Sequence, residues 1–166
     1  MSRIGAGPAP QVVKVSFTRD WVDAQPPATG DEQWRCLSEA LYFEARGETV
    51  KGQFAVAEVI LNRVESARFP STLCGVIKQG TGRKYQCQFT YTCDGYKDTI
   101  AEKQAYVRVS KVARAILDGG AEPLTSGATH YHTKNVRPSW SRVYKRTTSI
   151  GVHIFYRHNY RTASNG

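Results

Sequence analysis

The feature that most constrains this chain is a change of apolar period part way along it. From Trp34 to Leu117 apolar residues recur every three or four positions, the spacing of a buried helix face. Beyond Gly119-Gly120 they gather in runs rich in aromatic and β-branched residues, the pattern of strands. Helices first and a small sheet late predict an α+β fold. Asp31 reads as the N-cap of a helix over Trp34 to Arg46 that Gly47 stops. A second helix is expected over Val50 to Ser66, with Val50, Phe54, Ala57, Leu61 and Val64 inward. A short third begins at Pro70-Ser71 and carries Leu73, Val76 and Ile77, and a long helix spans Thr99 to Leu117. Strands are expected over Ala128 to Thr133 and Ile150 to Tyr156. Residues 1–30 read as a mostly irregular arm punctuated by Pro8, Pro10, Pro26 and Pro27, with a hint of strand from Val12 to Phe17. The remainder, 31–166, reads as a single domain, long enough to bury a core.

Charge is placed unevenly. The chain has 23 Lys+Arg against 14 Asp+Glu, a net +9 with neutral His. No acidic residue follows Glu122, whereas Lys134, Arg137, Arg142, Lys145, Arg146, Arg157 and Arg161 all do. Such a region attracts polyanions, whether nucleic acid, anionic lipid or acidic wall polymer, and its plain alternative is a solvated basic surface. No helix-turn-helix, zinc-finger or RNP-like motif accompanies the charge, so specific nucleic-acid binding is not expected. No apolar run reaches the roughly 18–20 residues of a membrane span. Met1 to Pro10 lacks the apolar block of a secretory signal, and the expectation from this is either a removed export signal or exit from the cell by another route.

The cysteines are Cys36, Cys74, Cys87 and Cys93, which allow two disulfides in three pairings. The shortest loop is the easiest to close, which favours Cys87–Cys93 and leaves Cys36–Cys74. Four buried thiols are the alternative. A zinc site is disfavoured by the lack of any CxxC pair.

One residue breaks the helical pattern. On a wheel of about 100° per residue, Trp34, Leu37 and Leu41 form one stripe, and Glu44 falls within it one turn on, while Glu39 lies opposite. A carboxylate on a buried stripe loses water, which raises its pKa. The negative end of the helix dipole acts in the same direction. A carboxyl that keeps its proton near neutrality is what a general acid must be. The plain reading is a Glu that pairs with Arg46 or turns outward at the helix end.

The segment Ala40-Leu41-Tyr42-Phe43-Glu44-Ala45-Arg46-Gly47-Glu48 resembles the signature of the spore-cortex-lytic, SleB/CwlJ-type family of cell-wall hydrolases. Gly52-Gln53-Phe54-Ala55-Val56-Ala57-Glu58-Val59-Ile60-Leu61-Asn62-Arg63-Val64 is similar to its second helix. The likeness continues through Phe69-Pro70, Cys74-Gly75-Val76-Ile77, Cys87-Gln88-Phe89-Thr90 and Cys93-Asp94-Gly95. It ends with Ala128-Thr129-His130-Tyr131-His132, Val136, Pro138, Trp140, Ile150-Gly151, His153 and Phe155-Tyr156, so it covers about residues 34–157 in order. The cysteines look like those of a Gram-negative or phage branch.

The resemblance implies a lysozyme-like catalytic domain that cuts peptidoglycan at the β-1,4 bond between N-acetylmuramic acid and N-acetylglucosamine, with Glu44 as the single catalytic carboxylate and no cofactor. Classical glycosidases use two carboxylates; one suffices for a lytic transglycosylase, which closes a 1,6-anhydro ring without water. Glu48 is the candidate second carboxylate of a hydrolytic lysozyme, or else a first-turn acid of the next helix. Asp94 reads first as a turn residue, and Glu58 as a surface residue. Gln88, Phe89, Tyr131, His132, Trp140 and His153 are candidate substrate contacts, through sugar stacking or acetamido hydrogen bonds, with core roles as the alternative. His130, His132 and His153 could bind zinc in an amidase, but the resemblance calls for no metal and HxH alternation is ordinary in a strand. A non-enzymatic basic wall-binding module is the remaining alternative. The expected partners are peptidoglycan and, through the basic region, anionic envelope polymers. The protein is expected to be a monomer acting in periplasm or wall, either as a phage endolysin or as an exported enzyme without its leader.

Overall fold

The computed structural model describes residues 13–79, 89, 91 and 99–158. Among these lie five α-helices: α1 (Arg19–Asp23), α2 (Glu32–Ala45), α3 (Val50–Val64), α4 (Leu73–Ile77) and α5 (Lys103–Leu117). A three-stranded antiparallel sheet follows, β1 (His130–Thr133), β2 (Lys145–Ile150) and β3 (His153–Arg157), in the order β1-β3-β2. This is the expected α+β arrangement.

Side-chain oxygens begin four of the helices. Asp31 accepts from the Trp34 N–H at 3.1 Å, Thr49 from Gly52 at 3.1 Å, Thr72 from Gly75 at 3.0 Å and Thr18 from Trp21 at 3.2 Å. The fifth, α5, has no such cap, and starts later than Thr99. Its entry is instead tied to α2, because the Tyr42 hydroxyl accepts from the Ala101 and Glu102 N–H groups at 3.1 and 2.9 Å.

The core sits between α2 and its neighbours α3, α4 and α5. Leu37, Leu41, Tyr42, Phe54, Ile60, Val76, Ile77, Val109 and Val112 are fully enclosed. The Cys36–Cys74 disulfide fastens α2 to α4. It closes a loop of sequence separation 38, for which chain entropy gives about 4 kcal/mol. Replacing both cysteines by alanine is expected to lower the unfolding free energy in urea by up to that amount. The Cys87–Cys93 pairing lies outside the described residues.

Three expectations are corrected. Residues 13–17 form no strand, and the supposed arm carries α1 and docks on α5. There Val15 and Val22 join the core, and Arg108 grips the Asp23 carboxylate at 2.8 and 3.1 Å. The strand expected over Ile150 to Tyr156 is two strands, because Gly151 at φ +58° turns the chain between Ile150 and His153. Glu58 is no free surface residue: its carboxylate accepts from the Leu124 and Thr125 N–H groups at 2.7 and 2.8 Å and from the Thr125 hydroxyl. With Asn62, which donates to the Ala128 carbonyl at 2.8 Å, and Arg63, which donates to that of Thr129 at 2.7 Å, it forms a polar row on α3 that aims the chain into β1.

Candidate active site

Glu44 occupies the last turn of α2, partly buried, where the helical lobe meets the sheet. Two interactions set this corner. Arg46 does not pair with Glu44; its guanidinium reaches the Glu102 carboxylate at 2.6 Å. The Gln53 amide of α3 donates to the carbonyls of Ala45, Arg46 and Glu48 at 3.3–3.4 Å, which gathers the frayed end of α2 into a tight turn. Gln53 is almost wholly buried, and sequence reasoning missed it. Its signal was a polar residue on the apolar face of α3, the same kind of anomaly that singled out Glu44.

The sheet supplies the other side. Alternation sends Tyr131 and Thr133 to one face of β1 and His130 and His132 to the other, and the register aligns Tyr131 with Phe155 and Thr133 with His153. Phe155 is enclosed against Ala55 and Val59 of α3 and Ala128, so the Tyr131 face is the one that packs on the helices. Tyr131 thereby reaches Glu44, and its hydroxyl donates to Oε1 at 3.0 Å. Burial raises the Glu44 pKa above the ordinary carboxylate value, while the Tyr131 hydrogen bond works against the rise. Burial and the Glu44 charge push the Tyr131 phenol well above its usual range, so it remains a donor.

Glu48 and His153 complete the corner. The His153 ring lies edge-to-face with Tyr131, centroids 4.9 Å apart, and its Nδ1 is 3.9 Å from Glu48 Oε1. Burial lowers the His153 pKa, opposed by Glu48, with His132 adding to the lowering.

Among the described residues, Phe89, His132 and Trp140 lie elsewhere. Phe89 is 3% exposed and belongs to the core. His132 and Trp140 sit on the sheet's far face. Nδ1 of His132 donates to the Thr133 carbonyl at 2.7 Å, and Nε2 accepts from the Tyr156 hydroxyl at 2.9 Å, which uses both ring nitrogens. Trp140, carried by the 3₁₀ turn Ser139–Arg142, is half-buried and packs against His130, His132, Tyr144 and Tyr156 at 5.1–5.6 Å. Gln88 and Asp94 lie outside the described residues. The histidines needed for zinc are split between faces, and among the described residues no three His, Cys, Asp or Glu are grouped to hold a metal. Two clefts of about 530 and 410 Å³, one under the N-terminal segment beside α5 and one between α3, α5 and residues 121–127, lie away from Glu44.

No helix among the described residues is long and apolar enough to cross a membrane. Residues 47–156 match the model of a family described as Cell Wall Hydrolase, a match that begins just beyond Glu44. The spore cortex-lytic enzyme of Halalkalibacterium halodurans is 38% identical over 136 residues, 78% of this chain and 36% of that protein. The spore cortex-lytic enzyme of Bacillus subtilis is 33% identical over 133 residues, 78% of this chain and 39% of that protein. The chain thus spans well under half the length of these relatives. Among solved structures, the catalytic domain of the germination-specific lytic transglycosylase SleB from Bacillus anthracis superposes with a TM-score of 0.60 at 31% identity, covering 80% of this chain and all of that one. The SleB catalytic domain of Bacillus cereus gives 0.60 at 32% identity, covering 80% and 94%. These relatives are spore enzymes, and they do not support the Gram-negative or phage branch, or the leaderless origin, expected from the cysteines and the N-terminus. The matched length and identities, on the lysozyme-like α+β fold implied by the motifs, show that the chain belongs to the cell wall hydrolase family.

Proposed function

We propose that this protein cleaves the glycan strands of peptidoglycan at the β-1,4 bond between N-acetylmuramic acid and N-acetylglucosamine, as a lytic transglycosylase with Glu44 as its single acid and base. The observation that carries this reading is the desolvated Glu44 carboxyl hydrogen-bonded by Tyr131 at the junction of helices and sheet. The SleB domains it resembles support the choice of substrate.

The chemistry needs no second carboxylate. Protonated Glu44 gives its proton to the bridging oxygen as the C1–O bond breaks, and the sugar's own N-acetyl oxygen supports the cationic C1. The carboxylate left behind accepts the Tyr131 hydrogen bond and takes the proton of the muramyl C6 hydroxyl as O6 bonds to C1. The 1,6-anhydro ring closes, Glu44 is again protonated, and no water is consumed. Residues 31–166 would act as one catalytic unit with 13–30 docked beside α5, working as a monomer at the cell wall. Lys134, Arg137, Arg142, Lys145, Arg146 and Arg157 are all exposed and would hold the enzyme to anionic envelope polymers.

A hydrolytic reading is favoured by one observation, that Glu48 lies on the same corner as Glu44, near His153. Digestion of purified peptidoglycan followed by mass spectrometry separates the readings. Anhydro-muramyl ends, one water lighter than reducing ends, are expected. Reducing ends would replace the transglycosylase by a lysozyme. Free stem peptides on uncut glycans would make the protein an amidase, and unchanged sacculi a binding module.

A further inference from the structure

Glu48 and His153 have no step in the reaction above, yet both are held in place. His153 is 3% exposed, and its Nδ1 is buried without a hydrogen-bond partner, 3.9 Å from Glu48 Oε1. The Glu48 side chain is 18% exposed. Two glycines leave space for it: a Cβ on Gly52 would lie 3.3 Å from Glu48 Cβ, and one on Gly151, already at φ +58°, 3.4 Å from Oε1. The imidazole is wedged between Tyr131 and Phe155, with ring centroids at 4.9 and 6.1 Å.

We infer that Glu48 and His153 form a positioning pair for Tyr131, the carboxylate orienting the imidazole and the imidazole holding the phenol so that its hydroxyl stays on Glu44. This rests on the reading of Glu44 as the acid and base. A carboxylate beside a buried imidazole nitrogen favours the tautomer with the proton on Nδ1. The ring then presents a fixed edge to Tyr131, whose alternative rotamers would carry the hydroxyl away from Oε1. The charged and titratable groups around the pair are Glu44 from α2, Arg63 from α3, and Tyr131 and His132 from β1. Burial keeps the imidazole neutral near pH 7, so it acts by shape and tautomer rather than by charge. Neither residue touches the reacting atoms.

The test is a double-mutant cycle on purified glycan strands, with pH profiles of kcat. Tyr131→Phe removes the hydrogen bond that favours ionised Glu44, so kcat should fall about 10- to 100-fold with KM little changed. The alkaline limb of its profile should move to higher pH, because Glu44 holds its proton longer. His153→Phe should do the same in both respects, and the double variant should be no worse than Tyr131→Phe alone. Should His153→Phe fail to fold, Glu48→Gln, at a partly exposed site, should shift the same limb in the same direction by less. A merely structural role would lower the yield of folded enzyme and leave the limb in place. Effects that add in the double variant, or an alkaline limb that stays put in both His153→Phe and Glu48→Gln, overturn the inference. If Glu44→Gln still cuts, the proposed reaction falls; if it is inert while His153→Phe behaves as wild type, only the pairing falls.

Discussion

Glu44→Gln is expected to lose at least about 1000-fold in glycan cleavage while folding normally. General acid–base catalysis by one positioned group contributes typically 10²–10⁴-fold, and in the proposed reaction one group serves both proton transfers. Gln keeps the shape and the acceptor for Tyr131 but can neither give nor take the proton. The same carboxyl predicts the pH dependence. Its pKa is raised by burial, so the competent protonated form persists above the ordinary carboxylate range and activity falls as pH rises through the raised value. Stability follows the same sign. A carboxyl that binds its proton more tightly in the folded chain contributes stability at low pH that is lost as pH climbs through its folded pKa. Glu44→Gln removes that loss, so at neutral pH it should melt at or above the wild-type temperature. An inert variant that melts well below wild type would instead point to a structural role for Glu44.

Phe155→Ala should be the most damaging of the simple truncations. Phe155 is fully enclosed at the centre of β3, against Ala55 and Val59 of α3, and joins the sheet to the helical lobe. Removal of such a ring costs about 3–5 kcal/mol, a large share of the roughly 5–15 kcal/mol that holds a domain folded. The urea midpoint should fall accordingly. At temperatures where the variant is still folded, cleavage should fall too, because the ring behind Tyr131, centroids 5.9 Å apart, is gone. A cost under about 1.5 kcal/mol would mean that the sheet is held mainly by the polar row of Glu58, Asn62 and Arg63.

What could be read from the sequence follows from how each signal arises. Helices α2, α3 and α5 repeat their apolar residues over several turns, α2 begins at the recognisable cap Asp31, and Glu44 stood out because it broke that repeat. Strand β2 left no such trace: Lys145-Arg146-Thr147-Thr148-Ser149 is an exposed edge strand with one face barely buried, and so lacks apolar alternation. Helix α1 is one turn long, too short for periodicity. Alternation placed His130 and His132 together, but nothing local says which face of a strand will meet the helices. That choice separated Tyr131, which reaches Glu44, and His153, which packs on Tyr131, from His132 and Trp140 on the other face. Glu58 looked solvated because its partners, Leu124 and Thr125, lie far along the chain.

The middle strand of the sheet is also the last to be made. β3 lies between β1 and β2 but follows both in the chain. Until it leaves the ribosome, neither neighbour has its pairing partner, and Tyr131 lacks the support of Phe155 and His153. A nascent chain that stops short of His153 therefore holds Glu44 without the phenol secured against it. Translation order alone delays the finished corner around Glu44 until synthesis has passed β3.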